Sequence, residues 1–484
     1  MGYEKGRRTF VEGWARRLAA VLTLMAGAAL LTGCLGIKPR TFAGPQCNFV
    51  KRPLNAFTPI NIRQLAGEQP QLQFAPDASD PAPTLRDEML GALAGGEDLL
   101  GSEGNGASEQ RALLFLSGGS LHGAFGAGYL AQWKRNRGHL PRYRVVTGIS
   151  TGAILGSFAF ADMPEIAEEA YGVGSEDTLL NVLVGVKKGS PTFWGQLHML
   201  KTGAIGDLAP LRKYLAGKLD DRVMNAVAAG VAQERKFYVG VVDVDTGQAV
   251  ALDMTAMAKL WRDAPVGPEK DRLKGCYVEA IIASSSAPMA AYPVFIDNRM
   301  YVDGGMRFGA FADEVGDLLP PVSEDNGKDP DGGPRNITFH LLMNGYQKTD
   351  SKCGREDPAF CVPAGDEHGA DNAESNAAHK KWSFVDLAYR SNSISVNQVY
   401  RFSAERIYLR ARVAGVKMTY AQMAEEAMDH PWPGDAMFPG AGTCREAKMK
   451  DMEEGDPVQF FPRYMHCIID YGRTRGGEDF PAGR

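Results

Sequence analysis

Short, continuous apolar runs recur along the chain and predict buried β-strands separated by helices. The runs at residues 112–116, 236–243 and 337–343 have the apolar character of strands that are covered on both faces. Small residues from 124 to 133 predict a helix that packs closely against its neighbours, and residues 277–283 predict another helix. The pattern therefore predicts strands and helices that alternate around a buried sheet.

Other segments have weaker patterns. Asp297 and Asn298 lie between two short apolar runs and predict a β-hairpin. Residues 163–235 are predicted to be mainly helical, residues 382–401 to form a long helix and residues 406–412 a late strand. The tail from residue 430 is predicted to be loop-rich.

The N-terminus has the features of an export signal. Four arginines within residues 7–17 precede an apolar run at 18–31, which ends in the tetrapeptide LTGC at 31–34. A transmembrane helix needs about 20 apolar residues, and this run is shorter. The LTGC end resembles a bacterial lipobox, which predicts that Cys34 is the lipidated first residue of the mature chain; plain secretion and membrane anchoring are the alternatives. Arg7 and Arg8 also give a weak twin-arginine resemblance.

The segment after Cys34 predicts a tether. Eight prolines between residues 35 and 107 interrupt any long element, and residues 91–107 are rich in glycine and acidic residues. We expect this segment to space the folded body from a membrane.

The cysteine content agrees with export. Besides Cys34 the chain has six cysteines, an even number that suggests disulfides. The first predicted pair is Cys353–Cys361, which closes a short polar loop, and the second is Cys444–Cys467. The pair Cys47–Cys276 remains only by elimination. No C-x-x-C pair or Cys/His cluster is present, so no structural zinc is predicted.

The overall composition is that of a globular protein and excludes one class of partner. Hydrophobic residues make up 44% of the chain and charged residues 23%. The net charge of −5 and the absence of a basic tract argue against nucleic acid as the partner.

The strongest chemical signal is the pentapeptide GISTG at residues 148–152. An apolar run precedes it and a helix-length apolar segment follows it, as in a G-x-S-x-G nucleophile elbow. Gly148 and Gly152 permit a tight backbone, and Ser150 would lie at a helix N-terminus, where partial positive charge favours a developing negative charge. The alternative is an ordinary strand-to-helix turn with an incidental serine.

Two further segments could complete a site. Residues 117–123, SGGSLHG, form a glycine-rich turn between a predicted strand and a helix, which suits an anion or an oxyanion hole. Asp303 ends a predicted strand and is followed by Gly304 and Gly305. A packing turn and a turn carboxylate are the structural alternatives for these two segments.

A nucleophilic serine needs a base, and the sequence offers a carboxylate more readily than a histidine. None of the eight histidines has the strand-end loop setting of a triad histidine. In a water-poor pocket a carboxylate can take the proton of a bonded serine. Asp303 is the preferred base, and Asp243, Asp245 and His122 are rivals.

The order of these three segments resembles the patatin-like phospholipase family. Residues 283–305, ASSSAPMAAYPVFIDNRMYVDGG, are also similar to the run that this family carries before and through its aspartate. The resemblance covers roughly residues 111–345, with a weaker echo at 382–412. It implies an α/β fold, namely a three-layer α/β/α sandwich with a mainly parallel central sheet.

The resemblance also implies an activity and the roles of site residues. Ser150 and Asp303 would form a catalytic dyad that hydrolyses acyl esters of lipids through an acyl-serine intermediate. The loop at Gly118, Gly119 and Ser120 would form the oxyanion hole. Gly148 and Gly152 would shape the elbow, with Gly123, Gly304 and Gly305 as further motif positions. No cofactor and no metal are implied.

Two positions depart from the family motif G-G-G-x-[K/R]-G. Ser120 replaces the third glycine, and His122 replaces the basic residue. We expect the Cβ of Ser120 to narrow the oxyanion hole, and His122 to be charged only part of the time near neutral pH. Reduced activity, or activity tuned to another substrate, would follow.

The expected organisation is a lipoprotein signal peptide at 1–33, a tether and N-terminal extension at 34–107, a patatin-like catalytic domain at 108–345 and a loop-rich C-terminal extension at 346–484 that packs on the catalytic domain. The expected partners are a lipid or other acyl ester and a membrane reached through Cys34; no protein partner is predicted. The expected location is the cell envelope, with the outer membrane favoured because no aspartate follows Cys34. A non-catalytic envelope lipoprotein and an acyltransferase remain alternative functions.

Overall fold

The computed structural model describes residues 44–54, 85–94, 111–187, 190–192, 194–195, 197, 199, 203–311, 337–345, 384–455 and 457–476. The predicted signal peptide, Cys34, most of the predicted tether and the predicted pair Cys353–Cys361 lie outside these residues.

The strands of the described residues are numbered β1 to β16. They are β1 Lys51–Pro53, β2 Arg111–Leu116, β3 Val145–Ile149, β4 Asn181–Val182, β5 Val186–Lys187, β6 Ser190–Pro191, β7 Ala204–Asp207, β8 Lys236–Asp243, β9 Ala249–Asp253, β10 Met289–Ala291, β11 Val294–Ile296, β12 Arg299–Asp303, β13 Ile337–Met343, β14 Lys417–Gln422, β15 Pro431–Gly434 and β16 Pro439–Thr443.

The helices used below are numbered α1 to α11. They are α1 Leu85–Ala94, α2 Gly123–Arg137, α3 Thr151–Phe160, α4 Pro164–Tyr171, α5 Ala209–Lys218, α6 Asp221–Ala232, α7 Met254–Asp263, α8 Pro268–Ser285, α9 Phe384–Val413, α10 Cys444–Glu454 and α11 Pro462–Gly476.

A central sheet organises the fold. Its order is β1-β9-β8-β3-β2-β13-β14, and β12 and β11 attach beside β8. The neighbours from β8 to β14 run parallel, whereas β1, β9, β11 and β12 pair antiparallel. Helices cover both faces of the sheet. The buried residues accordingly form two large apolar clusters, one on each side of the fully buried strands. The α/β fold with a mainly parallel central sheet is therefore confirmed.

Most of the predicted elements are present. The three apolar runs are strands β2, β8 and β13, and the small-residue helix is α2. Asp297 and Asn298 both have positive φ, of 51° and 60°, in the turn between β11 and β12. The close packing of α2 has a direct cause, since an added Cβ at Gly128 would lie 2.1 Å from the carbonyl oxygen of Ile469 on α11.

The predictions for the second half need correction. The strand predicted at 406–412 is wrong, because α9 continues through it to Val413 and buries Tyr400, Ala404, Ile407 and Ala411 at helical spacing. The segment predicted as mainly helical contains short strands between residues 181 and 207 as well as α4, α5 and α6.

The C-terminal segment is not a loop-rich extension in its described part. Strand β14 is the edge of the central sheet, and α11 lies against α2. A capping box of Thr443 and Glu446 begins α10, and the carboxylate of Asp451 accepts the backbone N–H groups of Arg463 and Tyr464 at the start of α11. Apolar residues of this segment join the main core, so it is an integral part of the fold.

Two disulfides connect distant parts of the chain. The pairs Cys444–Cys467 and Cys47–Cys276 are both present, as predicted. The carboxylate of Asp297 also accepts backbone N–H groups of residues 47–49 and pairs with Lys51. The N-terminal strand β1 is thereby held against β9 and the β11–β12 hairpin.

Within the described ranges, every helix is too short or too polar to cross a lipid bilayer.

Candidate active site

Ser150 lies in a strained turn between β3 and α3. Its backbone has φ of 54° and ψ of −123°, a conformation that L-residues rarely adopt. The flanking glycines are required by space, since a Cβ at Gly148 would lie 2.3 Å from the carbonyl oxygen of Gly152. A Cβ at Gly152 would lie equally close to the carbonyl oxygen of Leu116. The predicted strand, sharp turn and helix are all present.

A serine of helix α8 fixes the turn at Ser150 by hydrogen bonds. The backbone N–H of Ser150 donates to Oγ of Ser284 at 2.8 Å, and that hydroxyl donates to the carbonyl oxygen of Gly240 at 2.7 Å. Ser284 is fully buried, so these bonds are shielded from water. They fix the strained backbone of Ser150 to the neighbouring strand β8.

The sheet topology brings Asp303 to Ser150. Strand β3 pairs with the first part of β8 and ends where Ile149 lies opposite Gly240. Antiparallel β12 pairs with the last part of β8 and ends where Asp303 lies opposite Val241. Because β9 occupies the other side of β8, β3 and β12 lie on the same side of it and meet end to end. The residue that follows one strand therefore contacts the residue that ends the other.

The carboxylate of Asp303 is hydrogen-bonded to the side chain of Ser150. Its Oδ1 also accepts the backbone N–H of Gly305 at 2.7 Å. Both side chains are almost inaccessible to solvent, with Ser150 7% and Asp303 6% exposed. Burial raises the pKa of Asp303 to about 6, against the opposing effect of the bonds from Ser150 and Gly305.

The glycine-rich loop lies beside this pair at the end of β2. A Cβ at Gly118 would lie 3.1 Å from the Cβ of Ser150, so the loop backbone borders the serine. Gly119 has φ of 154°, and its Cβ position is filled by Asn344 and Gly345. Asn344 in turn donates its side-chain N–H to the carbonyl oxygen of Ser117, which fixes the entry to the loop.

Ser120 has φ of 52°, in the left-handed region that favours glycine. The loop thus keeps a backbone suited to glycine although the residue has a Cβ. The Oγ of Ser120 accepts a hydrogen bond from Nε2 of Gln459 at 3.0 Å. The backbone N–H groups of residues 458–460 bind the carboxylate of Glu176, so Gln459 is presented from an anchored segment. Sequence reasoning did not identify this support.

His122 differs from its expected behaviour. Burial, together with the nearby Lys448, lowers the pKa of His122 to about 3, so the ring is neutral at physiological pH. The prediction that it is charged part of the time is wrong. His122 keeps part of its surface exposed, but its ring packs edge-on against Tyr464 of α11, which shields that side of the imidazole from water.

Asp243, another candidate for the catalytic base, stabilises the turn after β8. Its carboxylate binds Arg299 at 2.8 Å and accepts the backbone N–H groups of Asp245 and Thr246 in the turn after β8. Among the described residues, no group of His, Cys, Asp or Glu side chains could hold a metal ion.

Tyr400 of α9 is a site residue that the sequence did not indicate. Its hydroxyl lies 1.9 Å from the Cβ position of Gly118 and 2.8 Å from that of Gly305, between the loop and the aspartate. Burial and the nearby carboxylate of Asp303 raise the pKa of Tyr400 well above its ordinary value, so it stays protonated. No motif contains this tyrosine, because α9 reaches the site only through the tertiary fold.

No curated protein matches the sequence. One similar solved structure is the crystal structure of VipD from Legionella pneumophila, at 10% identity over 77% of this chain and 82% of that chain, with a TM-score of 0.23. A similarity of that size does not bear on the fold or the function.

The family model described as patatin-like phospholipase matches residues 114–315. Ser150, Asp303 and the glycine-rich loop all lie within that range. This part of the chain is therefore similar to patatin-like phospholipase domains.

Proposed function

We propose that the protein is a serine lipid acyl hydrolase of the phospholipase A, lysophospholipase or esterase type. The observation that carries the proposal is the hydrogen bond between Ser150, in a strained elbow, and the buried carboxylate of Asp303. The match to the patatin-like phospholipase family, whose members hydrolyse acyl esters of lipids, supports the same class of substrate, namely lipid acyl esters.

In the proposed mechanism Asp303 accepts the proton of Ser150 as its Oγ attacks the ester carbonyl carbon. A pKa of about 6 makes this carboxylate a stronger base than a solvated aspartate, yet leaves it ionised at neutral pH. The proton then passes to the departing alcohol, and the acyl group remains on Ser150. Asp303 next deprotonates a water molecule, which attacks the acyl carbonyl carbon; the bond from that carbon to Oγ of Ser150 then breaks, Asp303 returns the proton to Oγ, and the fatty acid leaves.

The charge that develops on the carbonyl oxygen needs fixed donors. Backbone N–H groups of the loop at Gly118, Gly119 and Ser120 are the proposed donors, because this loop borders Ser150. The N-terminus of α3, which begins directly after Ser150, adds a favourable dipole. No metal or cofactor takes part in this scheme.

The test compares the wild type with Ser150→Ala and Asp303→Asn on short and medium acyl p-nitrophenyl esters. Loss of hydrolysis in both variants, with folding intact, is the expected result. Hydrolysis that survives in Asp303→Asn would refute the dyad. A wild type that neither hydrolyses esters nor reacts with a fluorophosphonate would instead favour a non-catalytic lipoprotein, and acyl transfer to added alcohols would favour an acyltransferase.

We also propose that Cys34 carries a lipid and holds the protein at the periplasmic face or surface of the outer membrane. The supporting observations are the LTGC tetrapeptide and the two disulfides, which suit an oxidising compartment. A Cys34→Ala variant should lose incorporation of labelled fatty acid and leave the membrane fraction. Unchanged incorporation in that variant would refute the assignment.

A further inference from the structure

Helix α9 has apolar side chains on two opposite faces. The inner face buries Tyr400, Ala404, Ile407 and Ala411 against the body of the protein. The outer face carries an exposed apolar stripe, defined here as Leu387, Ile394, Phe402, Leu409 and Val413, whose side chains are each about half exposed. These positions are separated by seven, eight, seven and four residues, so they follow one side of the helix. The inner face joins the core, whereas among the described residues the stripe is left about half exposed.

The charge of α9 is opposite to that of the whole chain. The helix has five arginines and only two acidic residues, Asp386 and Glu405, within a chain of net charge −5. Arg401 and Arg412 are exposed, and their helical positions place them along the edge of the apolar stripe. An apolar stripe bordered by arginines is the pattern of a helix that lies in the interface of an anionic lipid bilayer.

The inner face connects this surface to the candidate active site. Tyr400 projects from the opposite side of α9 and places its hydroxyl between Gly118 and Gly305, next to Asp303. A bilayer bound to the stripe would lie on the far side of α9 from the Ser150–Asp303 pair, separated from it by at least the ~10–12 Å diameter of the helix. Binding at the stripe would therefore bring the site to the membrane surface, and a lipid would reach the pair around the edge of α9.

We propose that the outer face of α9 is a docking surface for an anionic lipid bilayer. The apolar stripe enters the acyl boundary, and Arg401 and Arg412 bind the lipid headgroups. The proposal builds on the proposed function, because a lipid acyl hydrolase must reach esters that lie in such a surface. It adds to that function the surface on which the enzyme works and its charge.

The test maps lipid contacts on the full chain. Vesicles of phosphatidylcholine alone, and of phosphatidylcholine and phosphatidylglycerol in equal amounts, carry a trace of phospholipid with a photoreactive acyl chain. After irradiation, adducts are located by peptide mass spectrometry. The chain used is the unprocessed one, so its apolar run at residues 18–31 serves as an internal control for any binding by the N-terminus. We expect adducts in residues 402–413, with a higher yield on the anionic vesicles.

Two variants and a matched control isolate the stripe. The double variant Phe402→Ser, Leu409→Ser should lower adduct yield in α9 about tenfold, because each side chain loses the apolar area it would bury. The variant Leu260→Ser, Val266→Ser removes two exposed apolar side chains elsewhere on the surface and should leave the yield unchanged. Replacing Arg401 and Arg412 by glutamine should abolish the preference for anionic vesicles.

Several outcomes would overturn the proposal. Adducts confined to the N-terminus would do so, as would equal yields in α9 on the two kinds of vesicle. A dimer that dissociates in the Phe402→Ser, Leu409→Ser variant would show that a second copy covers the stripe. Hydrolysis of a water-soluble p-nitrophenyl ester is measured on the same samples, so failure of docking with hydrolysis intact is distinguished from failure of the proposed function.

Discussion

The ionised carboxylate of Asp303 should reduce the stability of the protein, and its removal should show this. The pKa rises from 3.8 to about 6 because the group is buried. At about 1.36 kcal/mol for each pKa unit, the ionised form costs the folded state about 3 kcal/mol relative to the unfolded chain. The Asp303→Asn variant has nearly the same shape and carries no charge, so it should escape this cost.

The sign follows from proton binding. Between pH 4 and pH 6 the folded state holds a proton on Asp303 that the unfolded chain has released, so the stability of the wild type falls as the pH rises through about 6. Asp303→Asn lacks this dependence. Its advantage in free energy of unfolding should grow by about 2 kcal/mol from pH 4 to pH 8. The activity should change in the opposite direction, since hydrolysis by the wild type requires the ionised carboxylate and should be half-maximal near pH 6.

The assay is urea denaturation of both proteins at several pH values, together with the pH profile of p-nitrophenyl ester hydrolysis. Asp297→Asn is the matched control, because the pKa of Asp297 is lowered: the N–H groups of Asn48 and Cys47 and the charge of Lys51 outweigh its burial. That variant should be destabilised at neutral pH, and its deficit should shrink below pH about 4. A difference between wild type and Asp303→Asn that stays flat, or that grows on acidification, would refute the reasoning.

Three further predictions concern packing, strain and cross-links. Gly118→Ala should destabilise by about 1–3 kcal/mol, and adding Tyr400→Phe should restore part of that loss, because the new Cβ lies 1.9 Å from the hydroxyl of Tyr400; equal losses in the single and double variants would contradict this. Ser150→Gly should be about 1–3 kcal/mol more stable than Ser150→Ala in urea denaturation, because glycine accepts a φ of 54° without strain. Replacing Cys47–Cys276 by serines should cost more than replacing Cys444–Cys467, about 5 against about 3.5 kcal/mol by loop closure over separations of 229 and 23 residues; thermal denaturation of the two variants gives the order.

The parts of the fold that could be predicted well are those whose local sequence pattern fits only one type of structure. A continuous apolar run such as residues 112–116 fits a strand buried on both faces, and GISTG after such a run fits a tight turn. Asp297 and Asn298 accept positive φ, so the hairpin that delivers Asp303 could also be recognised. The position of the serine and the aspartate was therefore accessible from local sequence.

The support of the site was not accessible in this way. Tyr400 and Gln459 lie far along the chain from Ser150 and have no motif around them. They reach the site because β14 and α11 complete the sheet and its helical layer, which brings the C-terminal segment back to the glycine-rich loop. The charge of His122 likewise depends on its burial beside Tyr464, which no local pattern shows.

The error at residues 406–412 has the same origin as the proposed docking surface. Ile407, Leu409 and Ala411 alternate with arginines and Tyr408, which imitates a half-buried strand. In a helix with apolar residues only on its buried face, position 409 would carry a polar residue. Here Ile407 and Ala411 face the core while Leu409 faces outward, so two apolar stripes overlap in the sequence and hide the helical period. An apolar outer stripe that the described part of the fold leaves half exposed suits a functional role, and contact with a lipid surface supplies one that can be tested.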